Sequence, residues 1–472
     1  MTSERLRWPY VAVTMAAVGM ACLWFLEGYP TVIYDSWGYY YLSEILRTKG
    51  LLAWPTDVRT YGYPAFLALV SGFRGLPPEE LRLLAFGAQL AACLGACAYV
   101  SRKLAALFRS ESAGFWAYAI GALNPVLLLH STELLSDLMS AVLIQLAVAL
   151  SWRVPADAAT SRVAIRRPFL AFLCAGAATS VRPANVVVVA ALVLVWAVRA
   201  VRWRDLRWGS AAAAAAGLLL PLIPQLAINY RIYGKVNFLI VKSLYRMQAQ
   251  WGMAALKYGT VVMPDRSPFL VYTSPLFRGD PTPRAFLLHH PWEYLATLAL
   301  HGFAMLDYDL PFTIITNLNP WYRWPLSVLN YALGYLAIVG CLLAVVRWIR
   351  RRRFDETEFA LASTIVVGAA YLLIYLPVEV ENRFGLTLEA LMTPLILVSL
   401  VWLVREGARR PSVRRLLILG AFAAAASGVV LSSWISRQQT NPRIASPANA
   451  FVLDPPRARP PASPSPLPSL RP

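Results

Sequence analysis

The chain has 472 residues, of which 58% are hydrophobic and only 15% are charged, which is more apolar surface than a soluble protein can bury. The apolar residues occur in runs of about 18 to 22, the length of a helix that crosses a bilayer. The net charge of +19 does not indicate a nucleic-acid partner, because the arginines lie in short loops between these runs and not on one folded face. A β-barrel would alternate over segments of about ten residues, so we expect an all-α polytopic membrane protein.

Eleven of these runs are candidates for membrane-spanning helices. They cover about 9–26, 83–101, 113–130, 134–151, 168–181, 184–199, 209–229, 326–346, 358–376, 386–403 and 414–434. The first run follows Arg5 and Arg7 and is long for a signal peptide, so we interpret it as an uncleaved helix. The stretch 62–73 is apolar but too short to span, and we predict a re-entrant or interfacial helix there.

Lysine and arginine are distributed unevenly between the predicted loops. With a cytoplasmic N-terminus, the inner loops hold them at about three times the density of the outer segments, as the positive-inside rule describes. Two large pieces then lie outside: the first loop, 27–82, and a segment at 230–325 in which we expect short helices lying on the membrane. The predicted organisation is an N-terminal transmembrane module 1–229, the outer segment 230–325, C-terminal helices 326–440, and a proline-rich, disordered tail 441–472.

Acids and arginines gather at the predicted outer surface. Ionisable groups at membrane depth are costly and usually functional, so their agreement on one side predicts a site there. They are Asp35 after the first span, Glu133 and Asp137 at the start of the fourth, Arg182 between the fifth and sixth, Arg231 after the seventh, and Glu379, Glu381 and Arg383 between the ninth and tenth.

Each of these residues also has an ordinary structural interpretation. Asp35 is a residue type that commonly caps a helix, and Glu133 could interact with the positive end of a helix dipole. Arg182 precedes Pro183 and could simply occupy a turn. Tyr39 and the two tyrosines after it are typical of the aromatic belt at a membrane surface.

Histidines and cysteines do not indicate a metal site. The pair His289 and His290 is interpreted as structural or surface-exposed. The five cysteines, at positions 22, 93, 97, 174 and 341, lie in apolar runs without a CxxC motif. We therefore expect neither a zinc site nor a disulfide framework.

Five stretches, in order along the chain, resemble one family. "YDSWGYYYLSEIL" followed by "RTYGYPAFLALVSGF" looks like the first outer loop of the polyprenyl-phosphate-sugar-dependent membrane glycosyltransferases of the GT-C superfamily, which include protein mannosyltransferases, the lipid A aminoarabinose transferase and lipopolysaccharide-core galacturonosyltransferases. "STELLSDLMS", "SVRPANVVVV", "NYRIYGK" and "ENRFGLTLEALMTPLI" resemble further stretches of that family, so the resemblance covers roughly 30–400. Residues 59–64 read RTYGYP where the family has a stretch like RPPGYP, so the first proline pair is replaced.

The resemblance implies a GT-C-like fold and a reaction at the outer face of a bacterial inner membrane. Asp35 would be the general base, and Glu133 a second acid that orients the acceptor or the base. The candidates for binding the donor phosphate are Arg59, Arg182, Arg231 and Arg383, and the further candidate site residues are Asp137, Tyr39, Tyr63, His290 and Glu381. The implied partners are a polyprenyl-phosphate-linked sugar donor, membrane lipids, and a glycan, lipid or protein acceptor, with no metal or other cofactor.

These residue types suit the transfer of a sugar from a lipid phosphate to a hydroxyl group. A carboxylate can take the hydroxyl proton as attack proceeds, and arginines can stabilise the negative charge that develops on the leaving phosphate.

A transporter or flippase of lipid-linked sugars is the alternative function. Many spans around a polar cleft suit that class, and the short runs 168–181 and 184–199 resemble a broken hairpin, although the sequence shows no internal repeat. A structural membrane subunit would explain the composition but not the grouped acids and arginines.

Overall fold

The computed structural model describes residues 3–28, 32, 35–153, 161–203, 208–260, 269–307, 322–351, 355–378 and 380–438. Within these ranges the regular structure is helical apart from one two-stranded hairpin, which confirms the predicted all-α membrane class. The helices are α1 Ser3–Gly28, α2 Asp35–Lys49, α3 Gly62–Val70, α4 Pro78–Phe108, α5 Glu111–Ala122, α6 Pro125–His130, α7 Ser136–Ser151, α8 Ser161–Val181, α9 Val186–Trp203, α10 Trp208–Leu219, α11 Ile223–Tyr233, α12 Tyr245–Ala254, α13 Pro283–His289, α14 Pro291–Met305, α15 Arg323–Arg351, α16 Glu356–Tyr375, α17 Leu386–Arg409 and α18 Pro411–Arg437. The strands are β1 Ala255–Thr260 and β2 Phe269–Thr273. The tail 441–472 and Glu379 lie outside the described residues.

Seven helices of the described chain are long and apolar enough to cross a membrane, or eight if the bent pair α10 and α11 forms one span. The predicted count of eleven is therefore not confirmed. The run 113–130 is divided between α5 and α6, because Pro125 starts a new helix whose first amides are capped by the Asn124 side chain. The run 134–151 forms α7 of 16 residues, which at about 1.5 Å per residue is shorter than the hydrocarbon core.

Two further runs depart from the prediction for other reasons. The run 168–181 lies in α8, whose N-terminal half carries Arg166 and Arg167 and is correspondingly less apolar. The run 209–229 is interrupted at 220–222, where α10 and α11 meet at an angle of 50°. In contrast, the short stretch 62–73 forms the nine-residue helix α3, which is too short to cross, as its length predicts.

Small residues allow the helices of the N-terminal half to pack closely. A Cβ atom added at Gly176 of α8 would collide with the backbone carbonyl of Leu218 in α10, and one at Gly217 would collide with that of Phe169. Helices in a membrane gain little from hydrophobic association, since lipid is equally apolar, so the van der Waals packing that this close backbone contact allows contributes to their attraction. The largest buried cluster joins α4, α5, α7, α8, α9, α16 and α17.

The segment 230–325 contains the short helices α12, α13 and α14 and the hairpin of β1 and β2. The sequence analysis predicted short helices there but not the hairpin. β1 and β2 pair antiparallel, with an irregularity in register between Ala255 and Lys257. The last helix, α18, reaches this hairpin: the Thr273 amide donates to the Gln438 carbonyl at 3.2 Å, and Ile435 packs in one buried cluster with Leu256 and Tyr272.

Candidate active site

The carboxylate of Asp35 lies between two arginines from distant parts of the chain. Asp35 is the first residue of α2, and its Oδ2 lies 3.0 Å from Nη1 of Arg383, in the short 3₁₀ turn Asn382–Gly385 before α17. Its Oδ1 accepts a hydrogen bond from Nη2 of Arg59, in the segment between α2 and α3. Asp35 thus joins the first outer loop to the start of α17, 348 residues later.

Local packing holds Arg59 in this position. The buried Trp54 indole donates a hydrogen bond to the Arg59 carbonyl at 2.9 Å, and the Arg59 guanidinium lies 4.8 Å from the centre of the Tyr39 ring. A Cβ atom at Gly38 would collide with the same guanidinium, so the absence of a side chain there gives Arg59 its space beside α2. Tyr39 is itself fixed by a hydrogen bond of 3.0 Å between its hydroxyl and that of Ser136.

A second ion pair joins Arg182 and Asp137 beside the first. Asp137 lies in the first turn of α7 and is almost fully buried, and Arg182 precedes the 3₁₀ turn Pro183–Asn185. The Arg182 guanidinium stacks over Phe384 at 5.0 Å. Arg383 links the two pairs, since its Nη1 lies 4.0 Å from Oδ2 of Asp137.

Glu381 supports Arg383 from behind. Its two carboxylate oxygens lie 2.5 Å from Nε and 3.0 Å from Nη2 of Arg383, and the Glu381 side chain is only 3% exposed. A bidentate contact of this kind fixes both the position and the plane of a guanidinium. Arg383 therefore presents Nη1 to Asp35 in a set orientation.

The ion cluster, defined here as Asp35, Arg59, Asp137, Arg182, Glu381 and Arg383, contains three carboxylates and three guanidiniums. Its formal charge is therefore zero when all six groups are ionised. An anion that enters must compete with these carboxylates for the arginines, and each arginine that it engages loosens one of the existing pairs.

The ion cluster borders a cavity of about 530 Å³. Every member except Glu381 lines it, together with Tyr39. Residues of the segment 237–248 also line it; they are Asn237, Leu239, Ile240, Ser243, Leu244, Tyr245 and Gln248. The lining thus combines charged, polar and apolar side chains, as a site for an amphipathic ligand requires.

Amide side chains anchor the segment 237–248 over the cavity. The buried Asn229 of α11 donates to the carbonyls of Asn237 and Leu239, and it accepts a hydrogen bond of 3.0 Å from Gln225. Gln225 in turn accepts from the backbone amide of Tyr61 at 3.3 Å. These hydrogen bonds connect the segment 237–248 to the first outer loop, which carries Arg59.

The environment of Asp35 acts on its acidity in two opposing ways. Burial alone would raise the pKa of its carboxyl group, but the adjacent guanidiniums of Arg383 and Arg59 outweigh burial and hold this pKa below its ordinary value of 3.8. The group is therefore ionised at neutral pH, which a base requires, although its affinity for a proton is weakened while both arginines remain in place.

Besides Glu381, four of the candidate residues named from the sequence lie away from the cavity lining. Glu133 is buried, with Oε2 3.1 Å from Nδ1 of His130. Tyr63 is fully buried and donates to Gln89 at 3.0 Å. Arg231 is exposed on α11, and His290 lies 3.9 Å from Asp280 in the outer segment.

Glu133 is connected to the ion cluster indirectly. Nε2 of His130 lies 3.4 Å from the Asn382 side chain, and Asn382 precedes Arg383 in the same 3₁₀ turn. Glu133 is thus linked to the ion cluster through the side chains of His130 and Asn382. The spacing of His130 and Glu133, one helical turn apart, is the signal in the sequence that points to this pair, whereas the lining residues of 237–248 form no pattern that distinguishes them.

Within the described part of the chain, no three histidine, cysteine, aspartate or glutamate side chains stand together in a way that could hold a metal ion.

Solved structures that resemble this chain include two of an oligosaccharyltransferase and one of ArnT. The oligosaccharyltransferase of Archaeoglobus fulgidus, crystallised with zinc and sulfate, aligns with a TM-score of 0.51 at 13% identity, over 91% of this chain and 53% of that one. The archaeal oligosaccharyltransferase AglB from Archaeoglobus fulgidus, in complex with an inhibitory peptide and a dolichol-phosphate, aligns at 0.44 and 13% identity, over 96% and 57% of the two chains. ArnT from Cupriavidus metallidurans aligns at 0.39 and 14% identity, over 84% and 78%.

The first of these alignments establishes a shared fold. The chain spans about half the length of the oligosaccharyltransferase. No protein-family model matches the chain, and no curated protein matches it. The chain therefore shares its fold with the archaeal oligosaccharyltransferase, in agreement with the all-α polytopic membrane fold expected from its sequence.

Proposed function

We propose that the chain is a membrane glycosyltransferase that moves a sugar from a polyprenyl-phosphate donor to a hydroxyl group of an envelope glycan, lipid or protein. The observation that carries this proposal is the ion cluster, in which three arginines and the carboxylates of Asp35 and Asp137 meet at one cavity. The shared GT-C fold supports the same reaction class. The site is expected to lie on the outer face of a bacterial inner membrane, with the N-terminus in the cytoplasm.

The proposed reaction is a displacement at the anomeric carbon of the donor sugar. The acceptor oxygen forms a bond to this carbon as the bond from the carbon to the phosphate oxygen breaks. The hydroxyl proton passes to Asp35, and polyprenyl phosphate leaves with the bonding electrons. A positioned carboxylate contributes about 10²- to 10⁴-fold to such a step.

The arginines would serve the leaving group. Arg59 and Arg383 now contact Asp35, and Arg182 contacts Asp137. When the donor phosphate binds, these guanidiniums can turn part of their hydrogen bonding to its oxygens. Sharing the arginines with phosphate would also weaken their hold on Asp35 and raise its proton affinity at the stage where it must act as a base.

Asp137 takes the place of Glu133 as second acid in this proposal. Asp137 lines the cavity within reach of Arg182 and Arg383, whereas Glu133 lies behind the 3₁₀ turn with His130. Asp137 would keep Arg182 oriented and would balance its charge before the donor arrives. Glu133, Arg231, Tyr63 and His290 have no direct role in the proposed step.

The proposed step uses no metal ion. The oligosaccharyltransferase that shares the fold was crystallised with zinc and sulfate. In the described part of this chain, Asp35, Asp137 and Glu381 are each paired with arginine, and no group of three ligand side chains is assembled. These carboxylates do not form a set of ligands suited to a divalent cation.

The deciding experiment follows both products in one assay. The purified protein is reconstituted in vesicles with a radiolabelled polyprenyl-phosphate sugar and a mixture of envelope acceptors. A glycosyltransferase releases polyprenyl phosphate in step with the appearance of labelled acceptor. Movement of intact donor between leaflets without release of polyprenyl phosphate would establish the transporter alternative instead.

A further inference from the structure

Two further cavities lie at the end of the helix bundle opposite to the ion cluster. One has a volume of about 410 Å³ and the other about 450 Å³, and Phe108, Val401 and Arg405 line both, so the two are contiguous. They lie among the C-terminal ends of α4, α15 and α17 and the N-terminal ends of α5 and α16. The ion cluster sits instead at the start of α7 and of α17.

The first cavity is cationic. Arg347 of α15 and Arg405 of α17 both line it, and neither has a hydrogen bond or ion pair with another described residue. Its carboxylate, Asp355, is engaged as the N-cap of α16, where it accepts a hydrogen bond of 2.8 Å from the Glu358 amide. Thr357 adds a hydroxyl group. The lining of this cavity thus contains two guanidiniums and one carboxylate, and that carboxylate already accepts a hydrogen bond from the start of α16.

The second cavity is an apolar groove on the side of the bundle. Trp116 of α5 and Val404 of α17 stand at its rim and are 56% and 72% exposed, and Leu397, Leu400 and Val401 form its floor. The groove meets the cationic cavity at Arg405. The combined space therefore consists of a cationic cavity and an adjoining apolar groove on the side of the bundle. Both lie near the ends of helices α4, α15 and α17.

We propose that this combined space is a binding site for an anionic phospholipid. The phosphate would accept hydrogen bonds from Arg347 and Arg405, since guanidinium matches phosphate geometry, and one acyl chain would lie in the groove between α5 and α17. A free phosphate ion would satisfy the arginines but leave the groove without an occupant, so the groove selects the lipid. The site is separate from the proposed donor site and does not depend on the proposed reaction.

The test measures lipid binding and not activity. The delipidated protein in detergent is titrated with dioleoyl phosphatidylglycerol, with dioleoyl phosphatidylcholine and with glycerol 3-phosphate, and native mass spectrometry counts the bound molecules. A cation near a headgroup contributes about fivefold in affinity. We expect phosphatidylglycerol to bind roughly tenfold or more tightly than phosphatidylcholine, and glycerol 3-phosphate to bind far more weakly than either.

Variants locate the bound lipid. The double variant R347Q/R405Q should lose most of the preference for phosphatidylglycerol, because it removes two arginines that contribute about fivefold each. The matched control R350Q/R414Q removes two exposed arginines that do not line the cavities, and it should keep the preference. Trp116→Ala should weaken both phospholipids alike, because it shortens the groove without changing the charge.

Three results would overturn the proposal. One is equal binding of the two phospholipids by the wild-type protein, which needs no variant and so holds even if R347Q/R405Q fails to fold. The second is equal loss of preference in R347Q/R405Q and R350Q/R414Q, which would reduce the effect to general surface charge. The third is equally tight binding of glycerol 3-phosphate, which would mean a phosphate site without a lipid.

Discussion

Asp35 is the residue on which the proposed chemistry depends most. It stands where α2 begins, and two arginines from different parts of the chain meet its two oxygens. Asn at this position keeps the size, and it caps a helix about as well as Asp, but it cannot take a proton at neutral pH. The exchange therefore separates a base from a structural cap.

We expect Asp35→Asn to lower sugar transfer by about two to four orders of magnitude at unchanged expression. Transfer from a radiolabelled polyprenyl-phosphate donor measures the effect. The matched control is Glu44→Gln, which removes the other acid of α2 that pairs with an arginine, Arg47, outside the cavity. Near-normal transfer by Asp35→Asn would remove the base from the mechanism and make Asp137 the leading acid.

Arg383 sets the acidity of Asp35 and, in the proposal, binds phosphate. Because Arg383 and Arg59 hold the pKa of Asp35 below its ordinary value, Asp35 stabilises the fold above that value, and its contribution is lost as the pH falls through the lowered pKa. Removing Arg383 takes away one of the two positive charges that oppose the effect of burial, so the pKa of Asp35 should rise. The acid limb of the activity profile should then move to higher pH.

Arg383→Ala should therefore both slow transfer, by about 10²-fold, and shift the acid limb upward. Arg383→Lys should recover part of the rate, because lysine keeps the positive charge but cannot make the bidentate contact of a guanidinium. Initial rates measured from pH 4 to pH 8 separate the two effects. Arg47→Ala serves as the control, and a shift of equal size in that variant would show that the profile does not report on Asp35.

Glu133 tests whether the scaffold behind the site is structural. It is buried against His130, which reaches the turn of Arg383 through Asn382. Glu133→Gln keeps a hydrogen-bonding side chain of the same size, so we expect transfer to fall by less than about tenfold. Glu133→Ala leaves a buried partner unsatisfied and should cost about 1–3 kcal/mol in stability. A loss of rate in Glu133→Gln as large as that of Asp35→Asn, at normal thermal stability, would contradict this assignment.

At the scale of elements, close backbone packing positions the first outer loop. Gly62 begins α3, and a Cβ atom there would collide with the Ser180 carbonyl at the end of α8. Ser180 lies two residues before Arg182, so the same contact fixes the distance between the loop of Arg59 and the turn of Arg182. The packing of α3 against α8 thus helps to bring the residues of the ion cluster together.

We expect Gly62→Ala to displace α3 from α8, lowering both thermal stability and transfer. Gly87→Ala in α4 is the matched control, since a Cβ atom there meets nothing within 4 Å. Alanine in that open helical position should raise stability by about 0.5–1 kcal/mol. Thermal unfolding in detergent compares the two. Equal stability of the two variants would mean that α3 accommodates the methyl group by moving freely.

The apolar runs predicted the positions of the helices better than the number of spans. Hydropathy does not register that Pro125 and the bend at 220–222 divide apolar runs, because breaks of a few residues barely change an average. Similarly, the motifs around Asp35, Arg59, Arg182 and Arg383 identified residues that the structure brings together. Glu133 shows what the sequence could not predict. Glu133 and Asp137 are both acids near the start of the same apolar run, and the sequence does not distinguish them. In the structure Glu133 contacts His130, whereas Asp137 lines the cavity.

At the scale of the molecule, the orientation in the membrane is open to a direct measurement. The arginine-rich ends of α15 and α17 lie opposite to the ion cluster, and the positive-inside rule predicts that they face the cytoplasm. Reporter fusions at Arg351 should read cytoplasmic and those at Gly279 external. A cytoplasmic signal at Gly279 would invert the molecule and place the proposed donor site in the opposite leaflet.

The contact between α18 and the hairpin has a consequence for the order in which the molecule is made. Thr273 of β2 donates its hydrogen bonds to the carbonyl of Gln438, which directly follows α18 and lies 165 residues later in the chain. Translation at about 5–20 residues per second leaves an interval of about 8–33 seconds between the two. During this interval Leu256 and Tyr272 have been synthesised, but Ile435, which completes their buried cluster, has not. Leu300 and Phe303 of α14 are available to cover part of this cluster early, and its remaining side stays open until the last helix has been inserted. The hairpin is therefore completed only at the end of biogenesis, and it is more accessible to a chaperone or a protease before that stage than after it.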